Sequence, residues 1–175
     1  MKTKLHYLRK DAFFSKCGKH RYWLFRQWDA EKPKIQFIGL NPSTANAESD
    51  DATIRNIVRI SNALGYGGLY MTNCFSIISS DPDILKSVPL DGDEQVENKH
   101  SLLSVARDCT ATVFAWGGFA AVKETGMDSM LAGIFPNAQA LGFNADGSPF
   151  HPRRLTYIKG ALDNPALYKY STGNV

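Results

Sequence analysis

Three polar side chains stand where buried strands are predicted to end, and their types suit recognition of a small polar ligand. Asn41 follows the apolar run at residues 35–40, and Asn73 lies near the end of a second apolar run. His151 precedes a proline late in the chain. An amide offers both a hydrogen-bond donor and an acceptor, and an imidazole can donate in either charge state. Ligands of open α/β sheets bind beside the carboxyl ends of strands, so these residues are candidates for one site.

The loop of sequence GLNPST, at residues 39–44, separates the first apolar run from a predicted helix. Gly39 would let the backbone approach a ligand closely, and Pro42 stiffens the turn and removes one N–H. Leu40 and Ser43 are further candidate contacts in this loop. Asn, Pro, Ser and Thr are also common turn residues, so an ordinary strand-to-helix turn is the alternative explanation.

The other two polar residues also have structural alternatives. Asn is unfavourable inside a strand, so Asn73 invites a functional role. Its amide could equally tie down the loop that follows. The proline after His151 restricts that residue to an extended backbone, and a lone histidine is often structural.

Charged residues flank these candidates. Glu48, Asp50 and Asp51 carry oxygen atoms that suit a divalent cation, but an N-cap by Asp51 on the following helix is the favoured interpretation. No metal and no cofactor are therefore predicted. Arg153 and Arg154, beside the histidine, are interpreted as phosphate ligands, with solvated surface charges as the alternative.

Strand and helix patterns alternate along the chain. This alternation predicts an α/β fold, a three-layer sandwich with a mainly parallel central sheet of four or five strands. Residues 1–20 are predicted to be a basic, irregular lead-in, and residues 21–175 a single domain. In the helix at 91–107 the residues predicted to face inward are Val96, His100, Leu103 and Ala106. The predicted strands are 21–28, 35–40, 69–75, 111–116 and 138–141, and the predicted helices are 52–64, 91–107, 119–124 and 127–135.

Composition narrows the functional classes. The 175 residues are 43% hydrophobic and 21% charged, and the net charge of +3 permits contact with nucleic acid without indicating a dedicated binder. Cys17, Cys74 and Cys109 are widely spaced and lack a C-x-x-C pair, which argues against disulfides and zinc and favours a cytoplasmic location. No run of about 18 apolar residues is present, so no membrane partner is predicted.

Six motifs in order resemble those of a bacterial and phage family of unknown function, DUF1643. The marks of that family are GLNPSTA, D-x-T, N-x-F followed by D-P-x-x-L, AWG, and G-x-P-x-HP. The resemblance runs from about residue 21 to residue 155 and identifies the chain as a member of the family. The motifs stand here at residues 39–45, 51–53, 73–75, 81–85, 115–117 and 147–152.

The same stretches are similar to motifs of the uracil-DNA glycosylase superfamily. The sequence GLNPS resembles its first motif, G-x-(D/N/E/A)-P-x, and Thr72-Asn73 resembles a strand-end pair of its bacterial and archaeal branches. The sequence AWG resembles a core strand that ends in glycine, and His151-Pro152 resembles the second active-site motif. This resemblance implies a uracil-DNA-glycosylase-like fold.

The resemblance also implies roles in N-glycosidic bond hydrolysis. Asn41 would position the attacking water, and His151 would stabilise the charge that develops on the leaving base. Asn73 would read the edge of a base that has left the stack. The implied partner is a nucleobase, carried by DNA or by a nucleotide. The predicted binding set is Gly39, Leu40, Pro42, Ser43, Asp51, Asn73, Phe75, Arg153 and Arg154.

Departures from the superfamily favour a second hypothesis, a protein that binds a nucleotide or modified base without cleaving it. No aromatic residue lies between Asn41 and Leu64, where a glycosylase offers a ring to stack on the base. Asp50 and Asp51 would repel a phosphate backbone, and two arginines stand where the second motif usually has serine. Three cysteines cannot supply the iron–sulfur cluster of some branches.

Overall fold

The computed structural model describes residues 5–171, so the first four residues of the predicted lead-in and the last four of the predicted domain lie outside the described residues. In this part of the chain, seven strands alternate with four α-helices and two 3-10 helices. In order these are β1 (Arg9–Phe14), β2 (Arg21–Gln27), β3 (Lys34–Gly39), α1 (Ala52–Ala63), β4 (Gly68–Asn73), a 3-10 helix (Pro82–Ser87), α2 (Asp93–Ala106), β5 (Ala111–Phe114), α3 (Ala120–Glu124), α4 (Met127–Ile134), β6 (Gln139–Ala140), a second 3-10 helix (Pro152–Tyr157) and β7 (Tyr168–Lys169).

The strands form one sheet in the order β1-β2-β4-β3-β5-β6-β7. The neighbouring strands β4, β3, β5 and β6 run parallel to one another. The pairs β1–β2, β2–β4 and β6–β7 are antiparallel. The predicted α/β class is confirmed, but the predicted sheet of four or five mainly parallel strands is too small. The sheet is mixed, with equal numbers of parallel and antiparallel pairs.

Both outer strands were absent from the sequence-based prediction. β1 lies within the segment predicted to be an irregular lead-in, yet it pairs with β2 along its length. Its sequence RKDAFF lacks the apolar alternation of a half-buried strand because it lies at the sheet edge, where charged residues are common. β7 has only two residues, and both are exposed. Such a short segment carries no readable period.

Helices cover both faces of the sheet. Because successive side chains of a strand point to opposite faces, Phe37 and Ile38 of β3 enter different apolar layers. Phe37 packs in the layer that includes Ile57 of α1. Ile38 packs in the layer that includes Val122 of α3 and Leu131 of α4. Each layer excludes water from one face of the central strands.

The helix α2 presents a different face to the sheet from the one predicted. Val96 and Leu103, predicted to face inward, are 43% and 37% exposed. Gln95 and Asn98 are buried instead, and their amides donate to the backbone carbonyl of Cys74 at 2.5 and 3.2 Å. Buried polar groups are tolerated where they pair in this way. The predicted inward face of α2 is therefore wrong.

The order in which successive strands are added to the sheet reverses at β3, although the strands themselves stay parallel. The chain leaves β3 through α1 on one face and enters β4, then leaves β4 through α2 on the other face and enters β5 on the opposite side of β3. A crevice opens at the carboxyl ends of parallel strands where connections diverge in this way. The loop that carries Asn41 starts at this point.

Candidate functional site

A cavity of about 500 Å³ lies at the reversal point, at the carboxyl ends of β3 and β5. Its size is in the range of small-molecule sites, roughly 300–1,000 Å³. Six of the predicted site residues line it: Leu40, Asn41, Ser43, Asp51, His151 and Arg153. Sequence reasoning did not assign the remaining lining residues, which are Arg21, Thr53, Ile54, Met71, Ser79, Ser80, Pro82 and Trp116.

A buried arginine holds the loop between β3 and α1, which we call the site loop (residues 40–51). Arg26 of β2 is fully buried, and its Nε donates to Asp50 Oδ1 at 2.8 Å. Its Nη2 donates to the carbonyl oxygen of Asn46 at 2.6 Å. The hydroxyl of Tyr7 donates to the other oxygen of Asp50, also at 2.6 Å. These bonds attach the site loop to the sheet.

Asp50 and Asp51, at the end of the site loop, therefore have structural roles. The charge of Asp50 is balanced by Arg26 at 2.8 Å, which weakens the repulsion that the sequence suggested against phosphate. Asp51 Oδ1 accepts from the backbone N–H of Ile54 at 2.8 Å. Asp51 is thus the N-cap of α1, which confirms the favoured interpretation from the sequence.

The amide of Asn41 uses its donor group, but not its acceptor oxygen, in hydrogen bonds within the part of the chain that the structure describes. Its Nδ2 donates to the carbonyl oxygens of Pro42 at 3.1 Å and of Ser79 at 2.8 Å, joining the site loop to the segment after β4. No hydrogen bond among the described residues uses its Oδ1. That oxygen is an acceptor, so Asn41 can orient a water or a donor group of a ligand in the cavity.

The imidazole of His151 has a defined donor and acceptor pattern. Its Nδ1 accepts from the backbone N–H of Arg153 at 3.1 Å, and an accepting nitrogen carries no proton. The ring proton of the neutral form is therefore on Nε2. Burial lowers the pKa of His151 below its usual 6.5, and the Arg153 guanidinium lowers it further, while the Asp51 carboxylate raises it. His151 is a neutral donor near pH 7.

Gly117, at the end of the AWG sequence, lets His151 come close to the end of β5. Its φ of +79° is in the left-handed region that favours glycine. A methyl group at this position would lie 3.2 Å from the Cβ of His151. The glycine is therefore required both by the turn and by the position of the histidine.

Two arginines contribute positive charge to the cavity. Arg21 is only 2% exposed, and its Nη1 donates to the carbonyl oxygen of Ala45. Burial lowers its pKa to about 10, although the Asp51 carboxylate acts in the opposite direction. Arg153 is exposed and lines the cavity from the second 3-10 helix. The sequence did offer a signal for Arg21, because a charged residue is unusual at the start of a largely apolar strand.

Trp116 supplies the aromatic ring that the site loop lacks. It is 3% exposed and lies two residues after the end of β5, so it reaches the cavity from the other side of β3. Its ring packs on Phe114 with centroids 4.6 Å apart. A search confined to the residues after Asn41 could not find it, because the ring comes from a different strand.

Asn73 does not line the cavity. It is fully buried, and neither atom of its amide has a hydrogen-bond partner among the described residues. A methyl group on Gly39 would lie 2.8 Å from Asn73 Oδ1 and 2.4 Å from the end of Met71. Gly39 is thus required by its neighbours on β4, not by the approach of a ligand.

Three other predicted residues also lie away from the cavity. Pro42 is buried, and its carbonyl oxygen accepts from the backbone N–H of Ser79 at 3.0 Å. Phe75 is fully buried in the apolar layer around α3 and α4. Arg154 places its guanidinium over the Phe150 ring, 5.6 Å from the centroid. Their contacts explain these residues without a ligand.

Residues 5–171 contain no group of three or more His, Cys, Asp or Glu side chains arranged to hold a metal ion. In the same range, no helix has both the length and the apolar character needed to cross a membrane.

The fold and cavity define an α/β protein with a cavity lined partly by polar residues at the reversal point of its sheet. The family model described as "Protein of unknown function (DUF1643)" matches residues 21–153, and the chain belongs to this family. The matched range contains both Asn41 and His151, and Arg21 and Arg153 stand at its two ends. No curated protein and no solved structure shows significant similarity to the chain.

Proposed function

We propose that the protein hydrolyses the N-glycosidic bond of a nucleobase-bearing substrate bound in the cavity, in DNA or in a nucleotide. The observation that carries the proposal is the meeting of Asn41 and His151 in one cavity of about 500 Å³, although 110 residues separate them. One side chain offers an acceptor for water, and the other offers a neutral N–H donor. Hydrolysis of this bond needs both.

In the proposed step, the bond between the base nitrogen and C1′ of the sugar breaks, and its electron pair leaves with the base. His151 Nε2–H donates to the base oxygen that gains negative charge. The water held by Asn41 Oδ1 adds to C1′ and releases one proton, which balances the base anion. The products are the free base and a sugar with a hydroxyl at C1′.

Asn41 orients water but cannot remove its proton, because an amide has no useful basicity. The acidic residue among the described residues that line the cavity, Asp51, already accepts from the N–H of Ile54 with one of its oxygens. The rate must therefore depend on departure of the base and on electrostatic stabilisation by His151. We expect slow turnover and a preference for bases that are good leaving groups.

Kinship with the uracil-DNA glycosylase superfamily belongs to this proposal. The ordered motifs support it, as does the position of Asn41 and His151 at one sheet edge. The burial of Asn73 counts against it, because a buried amide cannot read a base edge. We therefore propose no base-reading role for Asn73. Trp116 is the residue that we propose to pack against the base.

The test is release of free base from single- and double-stranded DNA and from nucleotides that carry uracil, hypoxanthine or modified pyrimidines. Wild-type protein is compared with His151→Ala and with His100→Ala, a histidine on the exposed part of α2. We expect release by wild type and by His100→Ala, and a loss of about a hundredfold or more in His151→Ala. Absence of release from every substrate would remove the hydrolase proposal.

The second candidate function is binding of a nucleotide or modified base without cleavage. It is favoured by Asn41, whose Nδ2 donates to backbone carbonyls, and by Asp51, because one oxygen of this cavity-lining carboxylate already accepts from the N–H of Ile54. A ligand that binds only the native state raises its melting temperature. A stabilising nucleotide recovered unchanged after incubation would favour binding over hydrolysis.

A further inference from the structure

Arg21 has a position that its contacts within the protein do not explain. It is only 2% exposed and lines the cavity. Its Nη1 donates to the carbonyl oxygen of Ala45, but its buried Nε has no hydrogen-bond partner among the described residues. A buried guanidinium without a paired anion is unfavourable, because its lost hydration is not replaced. The fold maintains this arrangement beside a cavity.

Arg26 is a buried arginine of this protein with a purely structural role, and it serves as a comparison for Arg21. It stands on the same strand as Arg21, and it too is buried. Its guanidinium is paired with Asp50 at 2.8 Å and also donates to the carbonyl oxygen of Asn46. The Nε of Arg21, by contrast, is without such a partner among the described residues. This difference indicates that the anion for Arg21 comes from outside the chain.

Further groups at the same cavity suit an anion. Thr53 lies in the first turn of α1, and the N-terminus of this 12-residue helix carries partial positive charge. Arg153 lines the cavity with an exposed guanidinium. Asp51 opposes an anion, but one of its oxygens accepts from Ile54 and two guanidinium groups outweigh its single charge. The net charge of these lining groups is positive.

We propose that Arg21, together with Arg153 and the first turn of α1, binds a phosphate group of the ligand. Guanidinium groups match phosphate oxygens through paired, charge-assisted N–H donors. Because Arg21 is almost inaccessible, the phosphate must enter the cavity, which a terminal phosphate does more readily than the diester of a continuous strand. The substrate class is therefore a nucleoside monophosphate. The identification of the ligand as a nucleoside derivative rests on the proposed function, whereas the assignment of a phosphate site does not.

The first measurement compares ligands on wild-type protein. Calorimetric titrations use deoxyribonucleosides, their 5′- and 3′-monophosphates, a short single-stranded oligonucleotide, and inorganic phosphate alone. We expect a monophosphate to bind about tenfold to a hundredfold more tightly than its nucleoside, as charge-assisted hydrogen bonds imply. Equal affinity of nucleosides and monophosphates, together with no binding of inorganic phosphate, overturns the assignment. Preference for the oligonucleotide over every monophosphate overturns the terminal-phosphate part.

The second measurement asks which residues create the preference for phosphate. Arg21→Gln should remove it, Arg21→Lys should retain part of it, and Arg153→Gln should reduce it. Arg107→Gln, which removes an equal charge at the C-terminal end of α2, is the matched control and should leave it unchanged. Thermal unfolding establishes that each variant folds. If Arg21→Gln does not fold, the Lys variant and the wild-type comparison decide the result. An unchanged preference in a folded Arg21→Gln overturns the assignment.

Failure of this assignment and failure of the proposed function give different results. Binding of inorganic phosphate that depends on Arg21, without base release or nucleoside binding, supports the phosphate site and removes the hydrolase. Base release that does not depend on Arg21, from nucleosides and nucleotides alike, supports the hydrolase and removes the phosphate site.

Discussion

The backbone N–H of Arg153 donates to Nδ1 of His151 at 3.1 Å, so one residue of the HPRR sequence sets the protonation pattern of another. The bond leaves Nε2 as the nitrogen that carries the proton in the neutral ring. It also makes His151 the N-cap of the second 3-10 helix. The same contact that starts this helix thus prepares the imidazole to donate to a ligand.

The lowered pKa of His151 predicts a dependence of stability on pH. Between the native pKa and the usual 6.5, the unfolded chain binds more protons than the native protein, so stability falls as the pH is lowered through this window. We expect the free energy of unfolding to fall less steeply in His151→Gln than in wild type. Urea unfolding from about pH 8 to about pH 5 measures this. Parallel curves for the two proteins would contradict the prediction.

Gly117 and Gly126 offer a matched pair of substitutions. Both have positive φ, +79° and +70°, but only a methyl group at Gly117 would crowd His151, whereas one at Gly126 meets nothing within 4 Å. Alanine at either position should lower the free energy of unfolding by about 1–2 kcal/mol, because the backbone is strained. Only Gly117→Ala should also weaken ligand binding or base release. An equal effect of both variants on function would contradict this.

The pair Arg26–Asp50 should contribute strongly to stability. Because both groups are largely buried, with side-chain exposures of 0% and 14%, Arg26→Met leaves the Asp50 carboxylate without its counter-charge and the carbonyl oxygen of Asn46 without this donor. We expect a loss of about 3–5 kcal/mol in urea unfolding. Arg9→Met breaks an exposed arginine–aspartate pair and should cost under about 1 kcal/mol. Similar losses in both variants would show that Arg26 does not hold the site loop.

The polar inner face of α2 can be tested directly. Asn98 donates to the carbonyl oxygens of Asn73 and Cys74 at 3.0 and 3.2 Å. Asn98→Ala removes both bonds from a buried position, so we expect a loss of about 1–3 kcal/mol in the free energy of unfolding. Val96→Ala, on the exposed face, should change it by less than about 0.5 kcal/mol. A larger loss for Val96→Ala would restore the inward face that the sequence predicted.

The amino-acid sequence alone located the central strands, the N-cap of α1 and six of the cavity residues. These features depend on local patterns: a short apolar run in β3, a helical period in α1, and Asp51 before the helix. Asn41 and His151 could be placed together because parallel strands deliver their carboxyl ends to one edge. The motifs also identified the family, which the match over residues 21–153 confirms.

Tertiary structure decided the features that depend on partners distant in the chain. The edge strand β1 forms because β2 supplies hydrogen-bond partners for it. The helix α2 buries amides because the carbonyl oxygens of Asn73, at the end of β4, and of the next residue, Cys74, need donors. Arg21 and Trp116 join the cavity only when β2 and β5 take their places on either side of β3 and β4. The free energy of burying a polar group depends on what surrounds it, and that is a property of the folded chain.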